Sequence, residues 1–243
     1  MSHIEIFGPP GSGKSTIYAR LLSNPKLFGG TKADAVRRVF LHEANPRYTF
    51  LYKLVPSFIQ SSIEGKLLRY RYGDPAFVKF ISEHRGFMDI LSQSLYWNQL
   101  EKCDVFITLK HTAENYQMGI SAKKPGEWLF MDDFGFCQRA ESIMLHTDES
   151  LFSLEAYFKV VPVPKIIIHV DVPGDVSISR QVKRGVVIIT EPQEIERLRE
   201  INFKISNYLK SKYGAYVITI ENTQSLEDTV FRIDERLEKM LSR

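Results

Sequence analysis

Residues 8–16, GPPGSGKST, have the residue types and spacing of a loop that binds phosphate groups. The stretch fits the pattern G-x-x-x-x-G-K-[ST], with Gly8, Gly13, Lys14 and Ser15 at the fixed positions. Glycines let the backbone turn its N–H groups towards an anion, the lysine reaches the β- and γ-phosphates, and the hydroxyl holds Mg²⁺. The sequence therefore predicts a site for ATP and Mg²⁺ formed by Gly8, Gly11, Ser12, Gly13, Lys14, Ser15 and Thr16.

The segments on either side of this loop have the patterns of a strand and a helix. HIEIFG (3–8) is short and apolar at its end, as a buried strand is. KSTIYARLLSN (14–24) carries Ile17, Leu21 and Leu22 at helical spacing. A helix that begins here directs the positive end of its dipole at the same anion, so the context agrees with the motif.

Further apolar segments alternate with helical patterns along the chain. They predict strands at 35–43, 126–133, 164–172 and 214–222, in addition to the first strand. Strands that alternate with helices form parallel sheets covered on both faces. We therefore predict one α/β domain over residues 1–243, with a three-layer α/β/α P-loop fold and a five-stranded parallel sheet.

The stretch 45–126 interrupts this alternation. It lies between the second and third predicted strands and has mostly helical patterns, so we expect a helical lobe inserted there beside the sheet. Its first part is rich in aromatic and basic residues, with Pro and Gly breaks. This composition suits a pocket for an acceptor molecule, and it equally suits plain helix packing.

Two arginines follow the fourth predicted strand. DVPGDVSISRQVKRG (171–185) turns at Pro173 and Gly174 and enters a helix with Arg180 and Arg184 four residues apart on one face. Ligands of open α/β sheets bind at the carboxyl ends of the strands, where this helix begins. The two guanidinium groups could clamp a phosphoryl group during transfer. The alternative is the solvated face of an amphipathic helix, but the phosphate-binding loop favours the clamp.

Two neighbouring carboxylates close the third predicted strand. Asp132 and Asp133 follow WLFM, where an acid of a P-loop protein lies near Mg²⁺ or its water shell. We predict that one of the two serves the metal, with their order left open. Arg139, a few residues later, could reach a phosphate or cap the next helix.

The phosphate-binding loop, the late strand ending in DVP and the R-x-x-x-R-G that follows resemble the nucleoside and nucleotide kinase group of P-loop proteins. The order of elements agrees over most of the chain. In that group the segment after the late strand is a lid, whose arginines close over the nucleotide phosphates. The resemblance implies an adenylate-kinase-like core and a lid at 180–192, with Arg180 and Arg184 as its arginines. The chain departs from deoxynucleoside kinases in lacking their acid-Arg-Ser triplet after strand three.

Glu43, in FLHEANPRY, is similar in position to the acidic residue that deoxynucleoside kinases carry at the end of their second strand. There the carboxylate accepts the proton of the acceptor hydroxyl, a role that suits a carboxylate beside a bound alcohol. An ordinary glutamate at a strand end is the alternative. If the acceptor is a monophosphate, we expect arginines of the lobe such as Arg47, Arg69, Arg71 or Arg85 to matter more.

Composition narrows the class of protein. Of the 243 residues, 44% are hydrophobic, which is enough for one substantial core. The net charge of +3 gives no electrostatic argument for a nucleic-acid binder, and no apolar run has the length of a membrane span. Cys103 and Cys137 lack metal-ligand spacing and are expected to be reduced thiols. We expect a cytoplasmic protein that binds neither membranes nor nucleic acids, and a homodimer is left open.

These features together predict an ATP- and Mg²⁺-dependent phosphotransferase that moves the γ-phosphate to a small-molecule acceptor of the nucleoside, nucleotide or sugar type. The predicted catalytic residues are Lys14, Glu43, Arg180 and Arg184, and the predicted metal ligands are Ser15 with Asp132 or Asp133. The alternative is a regulatory protein or switch that binds or hydrolyses ATP or GTP without such an acceptor.

Overall fold

Five strands form the central sheet of the computed structural model, which describes residues 3–30, 32–97, 105–132, 135–148, 151–223 and 225–242. They are β1 (His3–Phe7), β2 (Leu27–Gly29), β3 (Trp128–Met131), β4 (Ile166–Asp171) and β5 (Tyr216–Glu221). Their order in the sheet is β2-β3-β1-β4-β5, and every pairing is parallel. The prediction of a five-stranded parallel sheet is confirmed.

Helices cover both faces of this sheet. Ile4 and Ile6 of β1 pack with the helices at 14–21 and 226–241 on one face, whereas Phe7 packs with the helices at 105–122, 136–146 and 192–213 on the other. The predicted three-layer α/β/α arrangement is therefore also confirmed. The helices are α1 (Lys14–Leu21), α2 (Lys32–Glu43), α3 (Pro46–Leu54), α4 (Ser57–Leu67), α5 (Gly73–Glu83), α6 (Phe87–Trp97), α7 (Val105–Ala122), α8 (Phe136–His146), α9 (Leu154–Val160), α10 (Gly174–Lys183), α11 (Pro192–Tyr213) and α12 (Leu226–Leu241), with a π-helical turn at Leu68–Tyr72.

The second strand lies earlier in the chain than predicted. The prediction of a strand at 35–43 is wrong, because these residues form most of α2. Val36 and Phe40 repeat at helical spacing and face inward. Arg37 and Arg38 bind carboxylates of α4 and of the turn before β3, with N–O distances of 2.8 and 2.6 Å. These tertiary contacts outweigh the β-branched composition that suggested a strand.

The connection between β2 and β3 is helical, as the sequence indicated for 45–126. It runs from α2 to α7, so the helical segment begins at Lys32 rather than at residue 45. Its aromatic and basic first part, α3 and α4, leaves most of its large apolar side chains exposed to solvent. None of the helices that the structure describes is long and apolar enough to cross a bilayer.

A buried histidine is expected to make the stability of the fold depend on pH. His169 of β4 is fully buried between the rings of Phe7 and Phe203, and its ring nitrogens have no hydrogen-bond partner among the described residues. Burial lowers the pKa of His169 to about 4. Between pH 6.5 and 4 the unfolded chain takes up a proton that the folded chain does not, so the free energy of unfolding should fall by about 3 kcal/mol as the pH decreases.

Urea unfolding at several pH values measures this dependence. His169→Leu should flatten the slope between pH 6.5 and 4. His42→Gln, at the exposed end of α2, is the matched control and should keep the wild-type slope. A wild-type slope in His169→Leu would assign the pH dependence to another group.

Candidate functional site

The phosphate-binding loop lies where the strand order of the sheet reverses. It leaves β1 at the carboxyl edge, between β3 and β4, where open α/β sheets bind ligands. Gly11 and Gly13 have φ angles of 75° and 89°, in the left-handed region that favours glycine. A Cβ atom at Gly13 would lie 2.6 Å from Nδ2 of Asn222. Gly13 is also the residue before α1, so the amino end of this helix faces the loop.

Two buried side chains fasten the loop to the elements around it. Asn222, after β5, donates from Nδ2 to the carbonyl of Ser12 at 2.7 Å. Ser177, in α10, donates from Oγ to the carbonyl of Pro10 at 2.6 Å. The backbone of the loop is therefore held in place by protein contacts. Such preorganisation strengthens the binding of charged groups.

The candidate metal ligands lie at the same edge of the sheet. Ser15 is exposed in the first turn of α1, and Asp132 directly follows β3, the neighbour of β1. Burial and the charges of Asp132 and Asp34 raise the pKa of Tyr18, so both carboxylates lie near α1. A hydroxyl and a carboxylate fit Mg²⁺, which takes few protein ligands when it also binds nucleotide phosphates. Asp133 lies outside the described residues.

The placement of Glu43 at the end of a strand is wrong. Glu43 is the last residue of α2, whereas Asp34 lies in the first turn of this helix, at the carboxyl edge of the sheet. Nine residues of helix separate the two along roughly 13 Å. Glu43 is half-exposed, accepts a hydrogen bond from the Tyr72 hydroxyl at 3.1 Å and lies 3.4 Å from Nη2 of Arg71. Its role as a base stays a prediction, and Asp34 is a carboxylate that the sequence analysis missed.

The two predicted lid arginines have different surroundings. Arg180 is partly buried and donates from Nη2 to the backbone carbonyl of Asn222 at 2.9 Å. Arg184 ends α10 and is exposed to solvent. The structure therefore does not bring the two guanidinium groups together as one clamp. Their action on a phosphate stays a prediction.

Gln181 connects the predicted lid with the phosphate-binding loop. Its buried side chain accepts the backbone N–H groups of Ile188 and Ile189 at Oε1, at 2.9 and 3.2 Å. Nε2 of Gln181 donates to Oγ of Ser177 at 3.3 Å, and Ser177 donates to Pro10. We call this chain of hydrogen bonds the lid relay.

Gln181→Leu is expected to release residues 186–190 from α10. Loss of buried hydrogen-bond partners costs about 1–3 kcal/mol, so amide hydrogen exchange in this segment should accelerate by about fivefold to a hundredfold. Ser177→Ala is the matched comparison, because it breaks the relay only on the side of the phosphate-binding loop. It should leave the exchange of Ile188 and Ile189 near the wild-type rate. Unchanged exchange in Gln181→Leu would show that other contacts hold the lid.

A cavity of about 690 Å³ opens between the phosphate-binding loop, α8 and the segment predicted to be a lid. Its lining includes Pro10 and Lys14 from the loop, Arg139 from α8 and Ile189 and Thr190 from the lid. The volume lies in the range of small-molecule sites. The fold thus brings Lys14 and Arg139 to one cavity from distant parts of the sequence, which favours the phosphate-binding role for this arginine.

A second group of charged residues lies near Arg139, on α2 and α7. Lys32 and Lys110 both form salt bridges with Glu114. Burial and the charges of Lys32, Lys110 and Arg139 lower the pKa of His111, although the Glu114 charge raises it. These salt bridges connect α2 with α7 in the neighbourhood of Arg139.

A buried carboxylate of β1 fixes the start of α8. Glu5 accepts the backbone N–H of Phe136 at Oε1 (3.0 Å) and that of Cys137 at Oε2 (2.7 Å). Nε2 of His3 lies 2.9 Å from Oε1. Burial raises the pKa of Glu5, but the contacts with His3 and Cys137 outweigh it and hold this pKa below its usual value. A Cβ atom at Gly135 would lie 2.6 Å from Glu5, so the helix needs this glycine to approach the strand.

Similarity to known proteins is found among solved structures and not among sequences. No protein-family model and no curated protein sequence matches the chain. Among solved structures, the chain is similar to deoxyadenosine kinase from M. mycoides with bound dCTP, at 14% identity, a TM-score of 0.47 and coverage of 98% of this chain and 99% of that one. Structures of this kinase with dCMP and dCDP (15% identity, TM-score 0.47, 98% and 99% covered) and with dATP (14%, 0.44, 97% and 99%) are also similar.

Proposed function

We propose that this protein is an ATP- and Mg²⁺-dependent small-molecule kinase that moves the γ-phosphate of ATP to a nucleoside, nucleotide or sugar-type acceptor. The observation that carries the proposal is that Lys14, Arg139 and Thr190 line the same cavity. Its volume leaves room for an acceptor beside the phosphates. A preorganised loop, an arginine and a lid around one cavity can orient two substrates and exclude water, as phosphoryl transfer requires.

Each side chain has a defined part in this proposal. Lys14 and the loop amides bind the β- and γ-phosphates, and Ser15 and Asp132 hold Mg²⁺, which when bound neutralises charge on the phosphate oxygens. Arg139 stabilises the charge that spreads over the transferring group. Arg184 would join it when the lid closes, and the lid relay would keep the lid loop aligned on the phosphate-binding loop.

Asp34 is proposed to accept the proton of an acceptor hydroxyl, because it lies in the first turn of α2, at the same edge of the sheet as Asp132. Asp34→Asn is expected to lower kcat by about 10²- to 10⁴-fold, the typical contribution of a general base. Glu43→Gln removes one charge from the same helix and is the matched control, with little change in kcat expected. Steady-state rates with a saturating acceptor measure both variants.

The reverse order of effects would return the role to Glu43. Little change in both variants would favour a monophosphate acceptor, whose oxygen is already ionised and needs no base. Variants of Arg47, Arg69, Arg71 and Arg85 would then identify the arginines that bind it.

Transfer of labelled γ-phosphate from Mg-ATP into nucleosides, nucleoside monophosphates and sugars tests the proposed function. Lys14→Ala serves as the blank. A labelled product that is missing from the blank is the expected result. Intact ATP binding without a labelled product from any acceptor would favour the regulatory alternative.

A further inference from the structure

Five large apolar side chains protrude where α3 ends and α4 begins. Their exposed fractions range from 40% to 73%, although each could fill a core. Contiguous exposed apolar patches on soluble proteins mark surfaces that bind a partner. We call this patch the apolar tip: Phe50, Leu51, Leu54, Phe58 and Ile59.

The apolar tip is the end of a well-formed helical hairpin. Gln60 donates from Nε2 to the carbonyls of Tyr52 and Val55, at 3.0 and 2.9 Å, and so satisfies the end of α3. Tyr52 is buried, donates its hydroxyl to Glu64 and packs against the ring of Phe40 in α2. The inward face of the hairpin is therefore anchored, and the tip faces outward because the packing directs it there.

The exposed charges of the hairpin, residues 46–70, have a single sign. Residues 46–70 contain one acid, Glu64, which is buried and bound by Arg37 at 2.8 Å. All four basic residues of this segment are exposed, which gives the hairpin surface a charge of +4. They are Arg47, Lys53, Lys66 and Arg69.

We propose that this hairpin docks the protein on an anionic lipid surface. Along their helices, Arg47 stands roughly 5 Å from Phe50 and roughly 10 Å from Leu54, and Lys66 stands roughly 12 Å from Phe58. An interfacial apolar face reaches about 5–10 Å into the boundary between headgroups and acyl chains. An inserted tip would thus place the basic groups near the lipid phosphates, where they attract anionic lipids.

Docking of this kind needs no spanning helix, and it departs from the expectation that the protein binds no membrane.

Two other occupants fit the observations less well. In a symmetric dimer the hairpin would face its own copy, which sets four basic side chains against four others without an acid between them. Single-stranded nucleic acid stacks its bases on aromatic rings, whereas Leu51, Leu54 and Ile59 are aliphatic.

Co-sedimentation of the full chain with lipid vesicles tests the proposal. One set of vesicles is phosphatidylcholine alone, and in the other a third of the lipid is phosphatidylserine. The wild type should sediment with the anionic vesicles, and added salt should release it. Leu54→Ser/Phe58→Ser should bind at least about tenfold more weakly, because it removes two inserted side chains. Phe231→Ser on α12 is the matched control, since Phe231 is 69% exposed outside the hairpin, and it should bind as the wild type does.

A second variant keeps the apolar tip and changes only charge. Arg47→Gln/Lys66→Gln should weaken binding to anionic vesicles by roughly fivefold for each basic side chain removed. It also provides the test if the serine variant proves to be unfolded by circular dichroism. ATP binding of Leu54→Ser/Phe58→Ser should equal that of the wild type, so the result does not depend on the proposed kinase activity.

Three results would overturn the proposal. The first is a wild type that stays in the supernatant with anionic vesicles. The second is a dimer in light scattering that Leu54→Ser/Phe58→Ser converts to monomers, which would assign the tip to a second copy. The third is tight binding of a single-stranded oligonucleotide that is lost in Arg47→Gln/Lys66→Gln, with vesicle binding absent.

Discussion

Lys14→Ala is expected to lower the rate of γ-phosphate transfer by about 10²- to 10³-fold, the usual effect of removing one preorganised group that stabilises transition-state charge. Lys14 lines the cavity from the start of α1, where the helix dipole and the loop amides already favour anions. The lysine adds the only full positive charge that the phosphate-binding motif itself supplies. Its loss should therefore lower kcat strongly while the free energy of unfolding stays close to that of the wild type.

Lys239→Ala is the matched control for this variant. Lys239 is exposed on α12 and pairs with Glu235 at 2.9 Å, and such surface pairs contribute less than about 1 kcal/mol. The midpoints of thermal unfolding of the wild type, Lys14→Ala and Lys239→Ala should agree to within a few degrees. In transfer assays, Lys14→Ala alone should be slow. Transfer by Lys14→Ala at a near wild-type rate would contradict the proposed role of the cavity.

The parts of the fold that the sequence predicted depend on neighbours along the chain. The phosphate-binding loop is a local motif between a strand and a helix, and both of these appear at 3–7 and 14–21. β4 carries an unbroken β-branched run, III at 166–168, which is typical of a buried strand. The parallel sheet follows from alternating strands and helices once such strands are recognised.

The parts that were wrong or missed depend on contacts between distant residues. The strand predicted at 35–43 is helical because its arginines bind acids far along the chain. Because these residues form a helix, Glu43 lies away from the edge of the sheet, and Asp34 lies at that edge instead. Gln181 and Asn222 are ordinary polar residues in the sequence, and only the fold shows that their amides hold the lid and the phosphate-binding loop.

Glu5 shows how a residue outside every motif can support the site. It lies three residues before the phosphate-binding loop and holds the first amides of α8, the helix that carries Arg139 into the cavity. The carboxylate is fully buried and accepts bonds at both oxygens. Gln in its place retains one acceptor oxygen and turns an NH₂ group towards the second N–H donor. One of the two hydrogen bonds that hold α8 to β1 is therefore lost.

Glu5→Gln is therefore expected to lower the free energy of unfolding by about 3–5 kcal/mol, the range for breaking a buried charged contact. Urea unfolding at pH 7 measures the loss, with Glu235→Gln, at an exposed pair, as the control. Because the pKa of Glu5 is lowered in the folded protein, its stabilisation is present above the usual carboxyl pKa and disappears as the pH falls through the folded value. The difference between wild type and Glu5→Gln should thus stay constant from pH 8 to 5 and narrow in more acidic solution. A loss below about 1 kcal/mol at pH 7 would show that α8 is anchored by its apolar packing instead, as that is the size of an ordinary exposed contact.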